Sequence, residues 1–303
     1  MANTVLFLAT VLIWGTTWFA IALQVGPVPI LVSVFYRFAT AALVFLVALS
    51  LSGRLRLPTW REQPFILLQA ACLFSLNFLC LYAAEGFIPS GLVSVIFSLA
   101  TVFNALNARV FFGDAITPRA LAAGTLGVAG LTLLFLPDFA GGLGAGAAKG
   151  IGFAALGTLF FSLGNMVSRR NSQAGLSPII ANAWGMAYAA VALFGIIELT
   201  GTPIVAPPDT RYVAAMLYLA IVGSVVGFTT YLLLVARIGS ARAAYATVFF
   251  PIVALLISTV GEGYHWYWTS FAGLALTVAG NVVMFASYPA SLRRFQATAL
   301  KRR

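Results

Sequence analysis

Apolar residues fill this chain in ten stretches of roughly 18 to 25 residues. As helices at 1.5 Å per residue, each could cross a hydrocarbon core of about 30 Å. The stretches run over residues 4–24, 30–51, 64–84, 88–112, 118–136, 150–168, 178–199, 212–236, 241–260 and 267–288. The breaks between them are short, and proline or glycine marks most: Gly26-Pro27, Pro58, Pro89, Pro118, Pro137, Gly175, Pro207-Pro208 and Gly239. The pattern predicts an all-α integral membrane protein with ten transmembrane helices. Met1-Ala2-Asn3-Thr4 holds no basic residue, and the apolar run that follows exceeds a signal-peptide core, so the first stretch is read as a retained helix.

The stretches form two sets of five. Gly15, Gly26 and Pro29 return as Gly164, Gly175 and Pro178, and Tyr82 returns as Tyr231. Gly113-Asp114 returns as Gly261-Glu262, and Leu126, Val128, Ala129 and Gly130 as Leu276, Val278, Ala279 and Gly280. Each match is weak alone, but they share an offset of about 149 residues, the mark of an internal repeat. An odd number of crossings per copy sends the second copy into the membrane from the opposite side. Inverted repeats of this kind build secondary transporters, with substrate sites where the halves meet. The expected organisation is a first repeat over residues 2–136, an outer linker over 137–149, a second repeat over 150–288 and a basic cytoplasmic tail over 289–303.

Composition agrees with a polytopic membrane protein: 61% of residues are hydrophobic, 8% are charged, and the mean hydropathy is +1.00. The net charge of +10 would suit a nucleic acid, but the basic positions argue against such a partner. With the N-terminus cytoplasmic, Arg54, Arg56, Arg61, Arg109, Arg119, Arg169, Arg170, Arg237, Arg242 and the tail basics all fall inside, and only Lys149 and Arg211 fall outside. This is the positive-inside bias, and it puts both termini in the cytoplasm. A plasma membrane, bacterial inner membrane location is expected. The Arg293-Arg294 and Lys301-Arg302-Arg303 tail reads as an anionic-lipid contact. Cys72 and Cys80, eight helical residues or about 12 Å apart, are too distant for a disulfide, and no cofactor or metal is expected.

Charge inside a bilayer is costly, which makes Arg37 the first candidate for function. It shares a helical face with Ser33 and Thr40. It either receives a substrate carboxylate or gates the path, or it pairs with a carbonyl or carboxylate and fixes packing. No carboxylate lies near a span midpoint. Glu85, Glu198 and Glu262 sit near outer ends, so proton antiport through a central acid is disfavoured, and His265 reads as an interfacial loop residue. Asn104 continues a stripe with Ser94, Phe97 and Thr101, and Asn77, Asn165, Asn182, Asn107 and Asn281 add amides that either line a cavity or join helices. Trp14 with Trp18, Phe228 with Tyr231, and Trp184 with Tyr188 pair along helices and could stack on an apolar ligand. Tyr82 and Tyr245 join this candidate cavity lining. Gly124, Gly127 and Gly130 in the fifth span and Gly273 and Gly280 in the tenth are packing positions, for contact with each other or with a second copy as a homodimer. The run Gly141-Gly142-Leu143-Gly144-Ala145-Gly146 lacks the ending of a phosphate loop and reads as linker.

Trp14-Gly15, Pro29 followed by Arg37-Phe38, Gly113-Asp114, Gly261-Glu262 and Ala-Gly near the ends of both final spans resemble the EamA repeat of the drug/metabolite transporter superfamily. The resemblance covers nearly the whole chain. It implies ten helices in two inverted five-helix repeats, with a cavity lined mainly by helices one to four and six to nine. The fifth and tenth helices stand apart. The nearest substrate analogy is the YddG-type aromatic amino acid exporters. This sequence departs from the family pattern where Phe103 stands in place of the proline that the second copy keeps as Pro251, a candidate bend. It also departs where Asp114 replaces glutamate and where Met186 answers Arg37.

The expectation is an alternating-access exporter of small metabolites, foremost amino acids with aromatic or large neutral side chains. The alternatives are an exporter of drug-like or cationic compounds and a carrier of nucleotide sugars or phosphorylated metabolites. The last would favour several buried basic residues where this chain offers one. A hydrolytic or acyl-transfer enzyme would need a nucleophile and base in reach of one another, and the lone peripheral histidine argues against it.

Overall fold

The computed structural model describes residues 2–137, 145–238 and 246–285, and these hold no β-strand. They form rods that we number α1 (Ala2–Ala22), α2 (Ile30–Leu51), α3 (Gln63–Glu85), α4 (Ser90–Phe112) and α5 (Pro118–Leu134). These are followed by α6 (Ala145–Gln173), α7 (Pro178–Thr200), α8 (210–238), α9 (Ala246–Gly261) and α10 (Trp268–Phe285). Seven rods, α1 to α4 and α6 to α8, are long and apolar enough to cross a membrane, while α5, α9 and α10 are shorter apolar helices. The chain is thus a multi-pass membrane protein.

Local chemistry sets the ends. Thr117 caps α5, its hydroxyl accepting from Ala120 N at 3.2 Å with Pro118 as the first helical residue, and Asp209 caps α8 through Tyr212 N at 2.7 Å. Gly113 ends α4 and Gly201 ends α7 in left-handed geometry, φ +72° and +63°, where a side chain would be strained. The start of α6 differs from expectation: residues 145–149, read as linker, are already helical. Glycine weakens a helix without forbidding it, and the apolar run behind these residues carries the first turn along.

A large core joins α2, α3, α7 and α8 around Phe38, Phe74, Met186, Leu193 and Leu219, all fully buried. A second joins α1, α4, α6 and α9 around Trp18, Val95, Ala154, Phe250 and Leu255. The α5 and α10 helices pack on each other. A β-carbon on Gly273 would lie 2.5 Å from Gly130 O, one on Gly280 would lie 2.8 Å from Ala123 O, and one on Gly130 would overlap Thr277 Oγ1. The small-residue faces of the two helices therefore cover one another within one chain. A Gly127 β-carbon would instead meet Leu99 Cδ2 at 2.5 Å, on α4, whereas Gly124 has ordinary clearance from Val102 at 3.4 Å.

Candidate functional site

Two rods are not wound as plain α-helix. In α3 the segment Ala70–Leu76 is π-helical, and in α8 the segment Tyr218–Val226 is too. Their positions differ by the same offset as the sequence repeat. A π-turn breaks the i→i−4 ladder and is often kept at functional positions. Ser224 shows how the extra residue is accommodated: its hydroxyl donates to Leu219 O, five residues back, at 2.9 Å. The α4 rod is also interrupted, at Leu99, and α9 carries Pro251 inside its helix, where the ring withholds a backbone donor.

These interrupted helices surround a cavity of about 810 Å³. Its mouth lies at the bundle end carrying Asp114, Ser168, Arg169 and Pro178, and its walls hold Thr101, Asn104, Asn165 and Asn182. The amides are partly engaged: Asn165 Nδ2 donates to Asn104 Oδ1 at 3.3 Å, Thr101 Oγ1 to Asn281 Oδ1 at 3.0 Å, and Gln69 Nε2 to Asn182 Oδ1 at 2.9 Å. At the rim Arg169 grips Asp114 through two hydrogen bonds, 2.6 and 3.3 Å. That guanidinium holds the Asp114 carboxyl below its ordinary 3.8.

Further in, aromatic rings narrow the path into a collar. Phe97 lies 5.1 Å from Trp18 and 4.6 Å from Phe161, and Phe250 stacks on Trp18 at 6.0 Å. Across from them Trp14 packs on Phe228 at 5.7 Å and on Tyr231 at 5.0 Å. Trp14 needs Gly227, where a β-carbon would come within 2.8 Å of its indole nitrogen.

Behind the collar is a chamber of about 70 Å³, sharing Trp14, Leu73, Phe97, Phe161, Phe228 and Phe250 with the larger cavity and adding Thr17, Arg37, Asn77, Phe78 and Gly223. Arg37 is 3% exposed. Its Nε donates to Ser224 Oγ at 3.4 Å, its guanidinium lies 4.2 Å from the Phe78 ring centre, and Nη1 has no partner. Asn77, 1% exposed, donates from Nδ2 to Leu73 O at 3.2 Å, leaving Oδ1 without a partner.

The far end of the bundle is shut. Tyr82 OH donates to Gln24 Oε1 at 2.8 Å, Ser33 pairs with the Tyr212 hydroxyl at 2.7 Å, and Glu262 accepts from Ser90 N at 3.1 and 3.2 Å. Glu85, beside them, has both carboxylate oxygens buried without a hydrogen-bond partner.

The structure thus gathers Trp14, Trp18, Arg37, Asn77, Phe97, Thr101, Asn104, Asn165, Phe228 and Tyr231 around one path. It does not bring Tyr82 into the lining of either cavity; that ring is buried behind the chamber, where its hydroxyl donates to Gln24 and stands beside the Arg37 guanidinium. Nor does it bring in Trp184, whose indole donates to Arg56 O at 2.9 Å at the edge of α7 while Tyr188 bonds Gln63. Tyr245 lies outside the described residues. Sequence reading missed Phe161 and Phe250, which looked like ordinary apolar filling. It also missed Ser224, whose one signal was its repeat relation to Ser75.

The EamA-like transporter family matches this chain twice, over residues 2–136 and 148–286. The chain belongs to the EamA-like transporter family. It is a membrane transporter, not an enzyme. Among relatives of this EamA protein, the uncharacterized inner membrane transporter YedA of Escherichia coli strain K12 is 29% identical over 259 residues, 83% of this chain and 80% of its own. A probable terminal-alkyne amino-acid exporter of Streptantibioticus cattleyicolor is 25% identical over 282 residues, 91% of this chain and 90% of its own. A crystal structure with 22% sequence identity and a TM-score of 0.66, covering 93% of this chain and 95% of that one, shares the fold.

Proposed function

We propose that this protein is an alternating-access exporter of small metabolites carrying a polar head and an apolar body, foremost amino acids with aromatic or large neutral side chains. One observation carries the reading: a wide, amide-lined mouth leads through an aromatic collar to a dead-end chamber with a buried arginine, and the bundle is closed beyond it. A channel would need a continuous opening, whereas a path open at one end suits a carrier that exposes its site to each side in turn.

The orientation follows from charge. Arg54, Arg56, Arg61, Arg109, Arg119, Arg169 and Arg170 lie towards the end where the cavity opens, which the positive-inside bias assigns to the cytoplasm. In a bacterial inner membrane the open mouth then loads from within, as export requires. The paired π-turns in α3 and α8, at repeat-related positions, support two five-helix halves of inverted topology that rock about the site. The amino-acid exporter among the relatives supports the substrate class. A rival drug-like cation would meet the same collar but would face the positive charge of Arg37.

Counterflow tests this directly. Proteoliposomes preloaded with unlabelled amino acids are expected to accumulate labelled Phe, Trp, Leu or Met selectively, and excess of the same compound should abolish the signal. In a Cys72→Ala/Cys80→Ala background, Ser90→Cys with Glu262→Cys should stop exchange when cross-linked and recover on reduction. Exchange that continues with the closed end locked would defeat alternating access. Exchange of organic cations but no amino acid would defeat the substrate class.

A further inference from the structure

The chamber behind the collar holds two unsatisfied polar atoms of opposite kind. Arg37 Nη1 is a donor without an acceptor, and Asn77 Oδ1 is an acceptor without a donor. Both residues are buried, and both line the same space. Buried polar groups are ordinarily paired, so two orphans on side chains that line one space mark it as a place for an occupant. Each is also held in position. The Arg37 side chain is fixed by Ser224 on one side and by the Phe78 face beneath it, and the Asn77 amide is oriented by its bond to Leu73 O.

We propose that this chamber is the head-group site for a free α-amino acid, with the carboxylate on Arg37 Nη1 and the ammonium on Asn77 Oδ1. The assignment rests on the substrate reading above and narrows it to zwitterions with both ends unmodified. A guanidinium suits a carboxylate, and a neutral amide oxygen accepts from an ammonium without adding charge. Among the described residues no carboxylate lies within ion-pair distance of Arg37; the buried Glu85 and the Tyr82 hydroxyl act on its charge from the closed end, and the ligand carboxylate is the partner proposed from the chamber. A space of about 70 Å³ suits a carboxylate, one carbon and an ammonium, and the larger cavity that shares its walls has room for the rest of the ligand. The side chain of the ligand then projects back into the rings of Trp14, Trp18, Phe97 and Phe250. The amino acid backbone is read at two points, while side-chain identity is read by shape and stacking.

Purified full-length protein in lipid nanodiscs provides the test, with ligand-induced thermal shift and quenching of tryptophan fluorescence as readouts. The probes are L-phenylalanine, its methyl ester, 3-phenylpropanoate and phenethylamine, with the matching leucine and methionine series. Free amino acids are expected to bind roughly 10- to 100-fold more tightly than any analogue lacking one end, the range for losing a charged hydrogen bond. Asn77→Leu should erase the preference for phenylalanine over phenylpropanoate, and Arg37→Gln the preference over the methyl ester. Arg37→Lys serves as the charge-retaining variant, and the wild-type analogue series needs no variant at all.

Equal binding of a one-ended analogue would overturn the site, as would unchanged preferences in both variants or no binding of any free amino acid. Counterflow of the one-ended analogues separates this failure from that of the transport reading: their exchange without amino acid exchange removes the head-group site but leaves the carrier intact.

Discussion

Arg37 on α2 reaches Ser224 on α8 across 3.4 Å, and the serine hydroxyl is set by its own bond to Leu219 O. The buried charge thus leans on a hydroxyl that a π-helical turn presents. Ser75, the repeat counterpart of Ser224 in α3, is buried and its hydroxyl has no hydrogen-bond partner.

Ser224→Ala should therefore loosen Arg37 while Ser75→Ala should not. A hydrogen bond to a charged group contributes about 1.5 to 3 kcal/mol, and less at this length, so roughly a 3- to 10-fold weaker apparent affinity is expected for Ser224→Ala. Titration of tryptophan fluorescence in both variants checks the asymmetry, and equal effects would separate Arg37 from the binding step.

The collar and the rim of the bundle should respond differently to loss of an indole. Trp14→Ala removes ring contacts with both Phe228 and Tyr231, each worth about 0.5 to 1.5 kcal/mol beyond its area, and should reduce counterflow at least about 10-fold. Trp184→Ala, on a half-buried residue that lines neither cavity, should lower stability through lost packing and the lost bond to Arg56 O, yet leave counterflow per folded protein within about twofold. Normal transport by the first variant would remove the collar from the path.

Much of this arrangement was legible in the sequence because membrane physics leaves few choices. Twenty apolar residues between prolines and glycines have no soluble alternative at this composition, and Arg37 is conspicuous because a charge in hydrocarbon needs a reason. Asn104, Thr101 and Phe97 share a face at helical spacing, so their joint appearance on one wall was readable. What could not be read was winding. Apolar runs carry no sign of a π-turn, and Phe161 and Phe250 look like any other core phenylalanine until α6 and α9 are seen against Trp18. Trp184 misled for the converse reason: pairing with Tyr188 along a helix says nothing about which way that face is turned.

The contact between α5 and α10 should tolerate almost no added volume. Gly273→Leu and Gly130→Val insert side chains where backbone atoms of the facing helix already sit, and overpacking of this kind costs about 1 to 3 kcal/mol or more. A clear fall in melting temperature and in monodisperse yield is expected, with Gly124→Ala, at 3.4 Å from Val102, as the mild control. Because these faces cover each other, added bulk should act through folding of the single chain. Light scattering in detergent, unchanged in mass between wild type and variants, would bear this out.

The rim pair gives a pH signature. Arg169 lowers the Asp114 carboxyl from its ordinary 3.8, so its contribution is fully present above that value and fades as pH falls through the lowered one. The difference in melting temperature between wild type and Asp114→Asn should stay constant from pH 8 to about 5 and close towards zero in acid. A gap that closes near neutrality would point to another group.

The π-turns of α3 and α8 have one more implication. Each residue advances a helix by about 100°, so a single surplus residue turns everything beyond it out of phase with what came before. Asn77 and Phe228 lie just past such surplus residues, and the faces they present are set by a count, not by their chemistry. Removing one residue from the π-turn of α3 would keep the rod apolar and intact yet swing Asn77 about a quarter-turn round the helix axis. In this protein a one-residue deletion would act less as a break in a helix than as a dial, re-aiming a side chain whose identity never changed.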